Sequence, residues 1–372
     1  MPEQALITIS TRHQSHYERL KSAEVKKFDV FLVQMEKDIR NKLTSVDITD
    51  FTRSRLERQL VQIDTLIRRS FKEYKAVWRE SILSAAEYEA GFEIRSLGQV
   101  VDGVNFAMPS DSQITAAVFN TPLGDIGGSA GGSLLEPWLD DMTATEIKRV
   151  QGAIRMGYAQ GETTGDIVRR IRGTKASGYS DGVLAITKRN AETVARTALQ
   201  HAAQQARGEV WKANDSVIKR RKIVATLDSV TSAICRSLDG QEFPLDKGPV
   251  PPFHPNCRTG EVAVLDDKYK ELSRGRTRSE RDPETGKVGK VSADQAYYSW
   301  LKTQPADVQN SIIGPTRGKL LRNGGISSQR FAELQMGKNF QPLKTIERDG
   351  KLITPLQQMR EMEPTAFMKA GL

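Results

Sequence analysis

Apolar residues in the first ninety positions recur at steps of three and four, the spacing of one face of an α-helix. Val25, Phe28, Leu32, Met35 and Ile39 mark such a stripe within 12–45. Leu56, Leu60, Ile63, Ile67, Phe71, Tyr74, Trp78, Ile82 and Ala85 mark a longer one within 50–90. Between them lies LTSVDITD, with Thr49 as an N-cap. The pattern predicts a two-helix hairpin with charged outer faces. Its core is too small to stand alone, so the hairpin must pack on a third element or on a partner.

Glycine and serine then crowd 124–133, which reads as a hinge. Helix returns over 134–157 and again over 161–173, where Thr164 is a candidate cap ahead of Ile167, Val168 and Ile171. A long helix is predicted over 187–213. Ala191, Val194, Ala195, Ala198, Ala202 and Ala206 give it a small-residue face that another helix can approach closely. The run VIKRRKIVATLD is strand-like, and 228–265 alternates short strands with turns. The segment 270–292 is polar and basic and reads as an exposed arm or hairpin. Helical signal resumes in 293–304 and 328–336, and 339–372 reads as a weakly patterned tail. The expected fold is α+β and mainly α-helical: a helical N-terminal half, then a small mixed α/β C-terminal module with an exposed arm. The expected divisions are 1–123 as a helical partner-binding region, 124–133 as the hinge, 134–265 as the α/β module, 266–292 as the basic arm, and 293–372 as a helical segment with an extended tail.

Composition narrows the function. The 372 residues contain no apolar run long enough for a transmembrane helix. The opening MPEQALITISTRHQ lacks the basic and apolar regions of a secretory signal. Two cysteines exclude a disulfide scaffold. Lys+Arg number 55 against 46 Asp+Glu, a net charge of +9 that suits contact with nucleic acid or an acidic protein surface. Gly127-Gly128-Ser129-Ala130-Gly131 matches the nucleophile-elbow pattern G-x-S-x-G, but that motif needs a preceding buried strand and a following helix, and a Pro/Gly-rich loop stands there instead. Phosphate-binding loops and the zinc-hydrolase and deaminase motifs are absent. No catalytic residue and no cofactor is assigned.

The informative block is 226–260. It holds both cysteines, and His254 and Cys257 have H-x-x-C spacing. Cys235, His254 and Cys257, with Asp239 as a fourth, are the metal candidates. Leu238-Asp239-Gly240 reads as a tight turn, and Pro251, Pro252 and Pro255 fix an extended approach to Cys257 and Arg258. Lys219, Arg220, Arg221 and Lys222, with Arg274, Arg276 and Arg278 in the arm, are the candidate contacts to phosphates or to an acidic protein face.

This block resembles the C-terminal module of phage minor head proteins, the Mu F-type head morphogenesis family. The resemblance rests on the helix VARTALQHAAQQARGEVW, a strand ending at Thr226-Leu227-Asp228, the turn from Ser232 to Gly240 and the closing run from Pro251 to Thr259. It covers 160–265 well and 293–345 loosely. Where the family pattern reads C-x-x-C-x-x-L-D-G and P-P-x-H-P-x-C-R-C, this chain has Ser232 for the first cysteine and Thr259 for the last. Two thiolates are thereby lost. The expectation is that Cys235, His254 and Cys257 lie close together without a tightly bound zinc.

The resemblance implies a structural minor head protein of a tailed bacteriophage, attached to the portal vertex inside the head and acting in head assembly, DNA packaging or genome ejection. Region 1–123 would meet the phage portal protein. The major capsid or scaffold protein and packaged double-stranded DNA are the further partners implied, with no membrane, and the location is the virion interior after assembly in the host cytoplasm. One alternative is a metal-dependent nuclease or toxin-like enzyme built on the His254/Cys257 turn, with Asp228 and Asp239 as its acids. Another is a DNA-binding protein without a virion role, which the dispersal of Lys and Arg along the chain disfavours.

Overall fold

The structure, a computed structural model, describes residues 2–45, 53–101, 103–124, 131–272 and 277–372. Thr49, the glycine-rich positions Gly127 to Ala130 and the arm residues Arg274 and Arg276 lie outside the described residues.

Helices α1 (Pro2–Thr44) and α2 (Arg53–Gly98) form the expected hairpin. In α2 the whole run from Leu60 to Ala85 is buried as the spacing requires. In α1, Phe28, Met35 and Ile39 are buried, and the buried stripe continues backward through Glu24, Lys21 and Tyr17. The hairpin's missing cover is inside the same chain. Helix α6 (Val183–Ala213) packs on both α1 and α2 through its small-residue face, where Ala191, Ala195, Ala198, Ala202 and Ala206 are at most 1% exposed. Short side chains let the helix axes come close, so the large residues of α2 fill the space between. Helices α3 (Asp111–Asn120), α4 (Leu135–Ala159) and α5 (Thr164–Arg172) complete this layer. The cap of α5 is Thr163, one residue before the expected Thr164: Thr163 and Asp166 form a reciprocal capping box.

Strands β1 (Ile218–Val224), β2 (Glu242–Pro244) and β3 (Gly260–Leu265) form an antiparallel sheet in the order β2-β1-β3, with Arg221 opposite Phe243 on one side and Ala263 on the other. Between β1 and β2 sits the short helix α7 (Ala233–Leu238).

The basic segment is the hairpin alternative to an arm, formed by β4 (Thr277–Arg281) and β5 (Val288–Ser292), mostly exposed along 281–292 and anchored at its base. Arg281 donates its backbone N–H to the carbonyl of Leu227 (2.8 Å), and the Thr8 hydroxyl of α1 donates to the carbonyl of Thr277 (2.7 Å). The extended tail needs correction: Ile346–Arg348 and Lys351–Ile353 pair as a short exposed hairpin, and the chain then returns to helix. Helices α8 (Tyr297–Thr303), α9 (Ala306–Ile313), α10 (Pro315–Asn323), α11 (Ser328–Glu333), α12 (Pro355–Met362) and α13 (Pro364–Lys369) enclose a second core of Tyr297, Tyr298, Trp300, Phe331, Met359 and Phe367. Of these, α8 and α11 lie in the expected helical stretches 293–304 and 328–336; the others, each of three turns or fewer, are too short for a repeating apolar stripe to register in sequence.

Candidate metal centre at the Cys235, His254 and Cys257 turn

The turn is built by local chemistry. Ser232 caps α7, its hydroxyl accepting from the Cys235 backbone N–H (3.4 Å). One turn later the chain leaves α7 at Asp239, and Gly240, at φ +83°, takes a left-handed conformation that a side chain would strain. Gly240 N–H then donates to Ile223 of β1 (2.9 Å). The proline run returns the chain. Pro251, Pro252 and Phe253 are buried, and the Cys257 N–H closes on the His254 carbonyl (3.2 Å). Helix α6 holds the run in place: Thr197 accepts from the Asn256 N–H (3.0 Å), and the Gln200 amide donates to the Thr259 carbonyl (2.7 Å).

Cys235, His254 and Cys257 therefore converge, as expected. Cys235 Sγ lies 3.8 Å from Cys257 Sγ and 3.3 Å from His254 Nε2, and the three ligand atoms lie within 4.8 Å of one another. His254 Nδ1 is 2.9 Å from the Pro255 carbonyl. Both cysteines are free and buried, and His254 is half-buried. A hydrogen bond with Cys257, then burial, pushes the Cys235 thiol up. Burial acts the same way on Cys257, but hydrogen bonds from Cys235 and His254 outweigh it and hold Cys257 well below the ordinary thiol range. Burial disfavours the charged His254, yet its contact with Cys257 raises it overall. The cluster thus favours a thiolate on Cys257, shared with two donors.

Asp239, the fourth candidate, is not part of this cluster. Its carboxylate accepts from the backbone N–H groups of Ala225 and Tyr297 (2.7 Å each) and from both terminal nitrogens of Arg278 (3.0 and 3.1 Å). Every acceptor direction is taken, so no lone pair is left for a metal.

The same geometry removes two of the candidate phosphate contacts. Arg278 is buried on Asp239 and also donates to the carbonyls of Gln295 and Ala225. Arg221 is buried against Glu261 and donates to the carbonyls of Pro244 (3.2 Å), Pro249 (2.9 Å) and Lys247 (2.6 Å). Both arginines staple loops. Lys219 and Arg220 are exposed, whereas Lys222 is partly covered and pairs with Glu242 (3.1 Å), which also lies 3.5 Å from Arg220. Arg258 binds Asp228 through two bonds (2.7 and 3.1 Å) and pins the closing run to the segment between β1 and α7.

A buried polar network on the hairpin was not anticipated. Arg207 of α6 binds Glu89 of α2 (2.6 Å), which also meets His13 of α1 (2.5 Å), and the Trp211 indole donates to Glu93 (2.7 Å). Lys21 of α1 donates to Gln200 (2.5 Å), the residue that holds Thr259. The available signal was positional: Lys21 and Glu24 continue the apolar stripe of α1, and Glu89 and Glu93 continue that of α2.

Residues 148–262, from the middle of α4 into β3, match the family model described as Phage Mu protein F like protein. This part of the chain is similar to phage Mu protein F. The Mu F-like segment contains α6, β1, α7 and β2, together with all three residues of the cluster. No curated protein and no solved structure matches the chain.

Proposed function

We propose that the protein is a structural minor head protein of a tailed bacteriophage, seated at the portal vertex inside the head and acting in head assembly, DNA packaging or genome ejection. The Mu F match carries this reading. The chemistry of the turn supports a non-catalytic role. A nuclease built on His254 needs a carboxylate free to act as base or metal ligand beside it. Asp228, Asp239 and Glu261 are each committed to an arginine. No described helix is long and apolar enough to cross a membrane. Co-purification with the portal from assembling heads is the expected result. Recovery from the host cytosol alone, with none in procapsids or virions, would overturn the proposal.

Contact with packaged DNA rests on few side chains. Of the four basic residues in β1, only Lys219 and Arg220 are exposed. The double variant Lys219→Ala/Arg220→Ala is expected to lower the slope of log affinity against log salt by about 1–2 on duplex DNA. An unchanged slope would place any DNA contact elsewhere on the chain.

A further inference from the structure

We infer that Cys235, His254 and Cys257 together bind one thiophilic divalent cation of the zinc class, as a site with three protein ligands. The edges of the triangle carry the inference. A tetrahedral metal with bonds of about 2.3 Å to sulfur and about 2.0 Å to nitrogen separates two sulfurs by about 3.8 Å, and a sulfur from a nitrogen by about 3.5 Å. The observed separations are 3.8 Å between the sulfurs and 3.3 Å from Cys235 Sγ to His254 Nε2. The imidazole is oriented for the task. The Pro255 carbonyl, 2.9 Å from Nδ1, accepts a proton held there, so Nε2, which faces the sulfurs, is the nitrogen that gives up its proton and offers its lone pair to the metal. An outer hydrogen bond of this kind fixes the tautomer of a metal-binding histidine.

The backbone holds the three ligands independently of one another. The Ser232 cap places Cys235, the proline run places His254, and the Thr197 and Gln200 bonds hold the run on either side of Cys257. Ser232 and Thr259 occupy the positions where the family pattern has two further cysteines, and a hydroxyl is a weak ligand for zinc. His254 is half-buried, so water reaches the fourth corner. The expectation of no bound metal counted ligands against a four-thiolate pattern. The geometry instead makes three protein ligands and a water sufficient. Binding releases two protons to solvent, the thiol proton of Cys235 and the one that His254 shares with the Cys257 thiolate, so His254 enters as neutral imidazole, and the cation ties α7 to the proline run and to the start of β3.

The test is metal analysis of the full-length chain purified under reducing conditions without chelator, followed by cobalt(II) titration of the stripped protein. The expected result is about one zinc per chain, and a cobalt complex with a near-ultraviolet thiolate charge-transfer band and the strong visible bands of tetrahedral geometry. His254→Gln and Cys257→Ser should each weaken cobalt binding by more than about 100-fold, since loss of an outer-shell partner alone costs 10–100-fold. If either variant fails to fold, the wild-type stoichiometry and spectrum still decide. Metal-free protein with two titratable thiols and no cobalt spectrum would overturn the inference. So would a Cys235–Cys257 disulfide that persists under reducing conditions, or cobalt binding that survives loss of Cys257.

Discussion

Replacing Arg278 by methionine should destabilise the protein by about 3–5 kcal/mol, the range for removing one partner of a buried ion pair. Arg278 and Asp239 are both buried, and the Asp239 carboxylate also accepts two backbone N–H groups. The substitution leaves that carboxylate with a full charge and no cation. Asp239→Asn should cost a similar amount by stranding the guanidinium. The double variant should cost less than the sum of the two, because each single change already includes the penalty of an unpaired partner. Guanidinium denaturation of the three variants measures this, and a loss below about 1 kcal/mol for either single change would show that the pair is hydrated. The cost is high because the pair is a junction. It ties the β4–β5 hairpin, the turn after α7 and the start of α8 at one point.

Acidification should weaken the fold through His201. This histidine of α6 is 1% exposed, and burial depresses its pKa to about 4, only partly offset by backbone contacts such as Nε2 to the Val118 carbonyl (3.1 Å). In the unfolded chain the pKa is about 6.5. Between these values the unfolded state binds a proton that the folded state refuses, so stability rises with pH in this window and falls as pH drops through it. The contribution is complete above about pH 6.5 and amounts to about 3 kcal/mol lost on descent to pH 4. His201→Gln should flatten that part of the stability profile. A profile unchanged by the substitution would mean that His201 takes up its proton without unfolding.

The long helices were legible because a stripe sustained over many turns has one physical explanation, a buried face. The Leu60-to-Ala85 run needed nothing beyond periodicity. The convergence of Cys235, His254 and Cys257 was legible because proline and glycine restrict where the chain can go. The fate of the basic residues was not, since residue type reports charge and says nothing of the partner. Even so, a strand sends neighbouring side chains to opposite faces. Lys219, Arg220, Arg221 and Lys222 therefore cannot form one patch, and Arg221 turns inward because Glu261 waits on β3. Arg278 carried no comparable sign. Its carboxylate lies 39 positions earlier, and no spacing rule links the two. Of the short helices after residue 297, α8 and α11 fell within the expected helical stretches, whereas α9, α10, α12 and α13 escaped for a different reason: their core is assembled from many single contributions, none of which repeats.

The contact between Thr8 and Thr277 spans 269 positions, and it sets an order of events on the ribosome. Helix α1 ends at Thr44, whereas α6, the cover for its apolar stripe, ends at Ala213. At 5–20 residues per second, roughly 10–30 s of synthesis separate the two. During that interval the emerging helical pair displays Phe28, Met35 and Ile39 with only α2 to pack against. Helix α1 is thus made long before its cover, and its apolar stripe stays open to solvent until α6 packs on it and the hairpin at 277–292 arrives to lock its first turns.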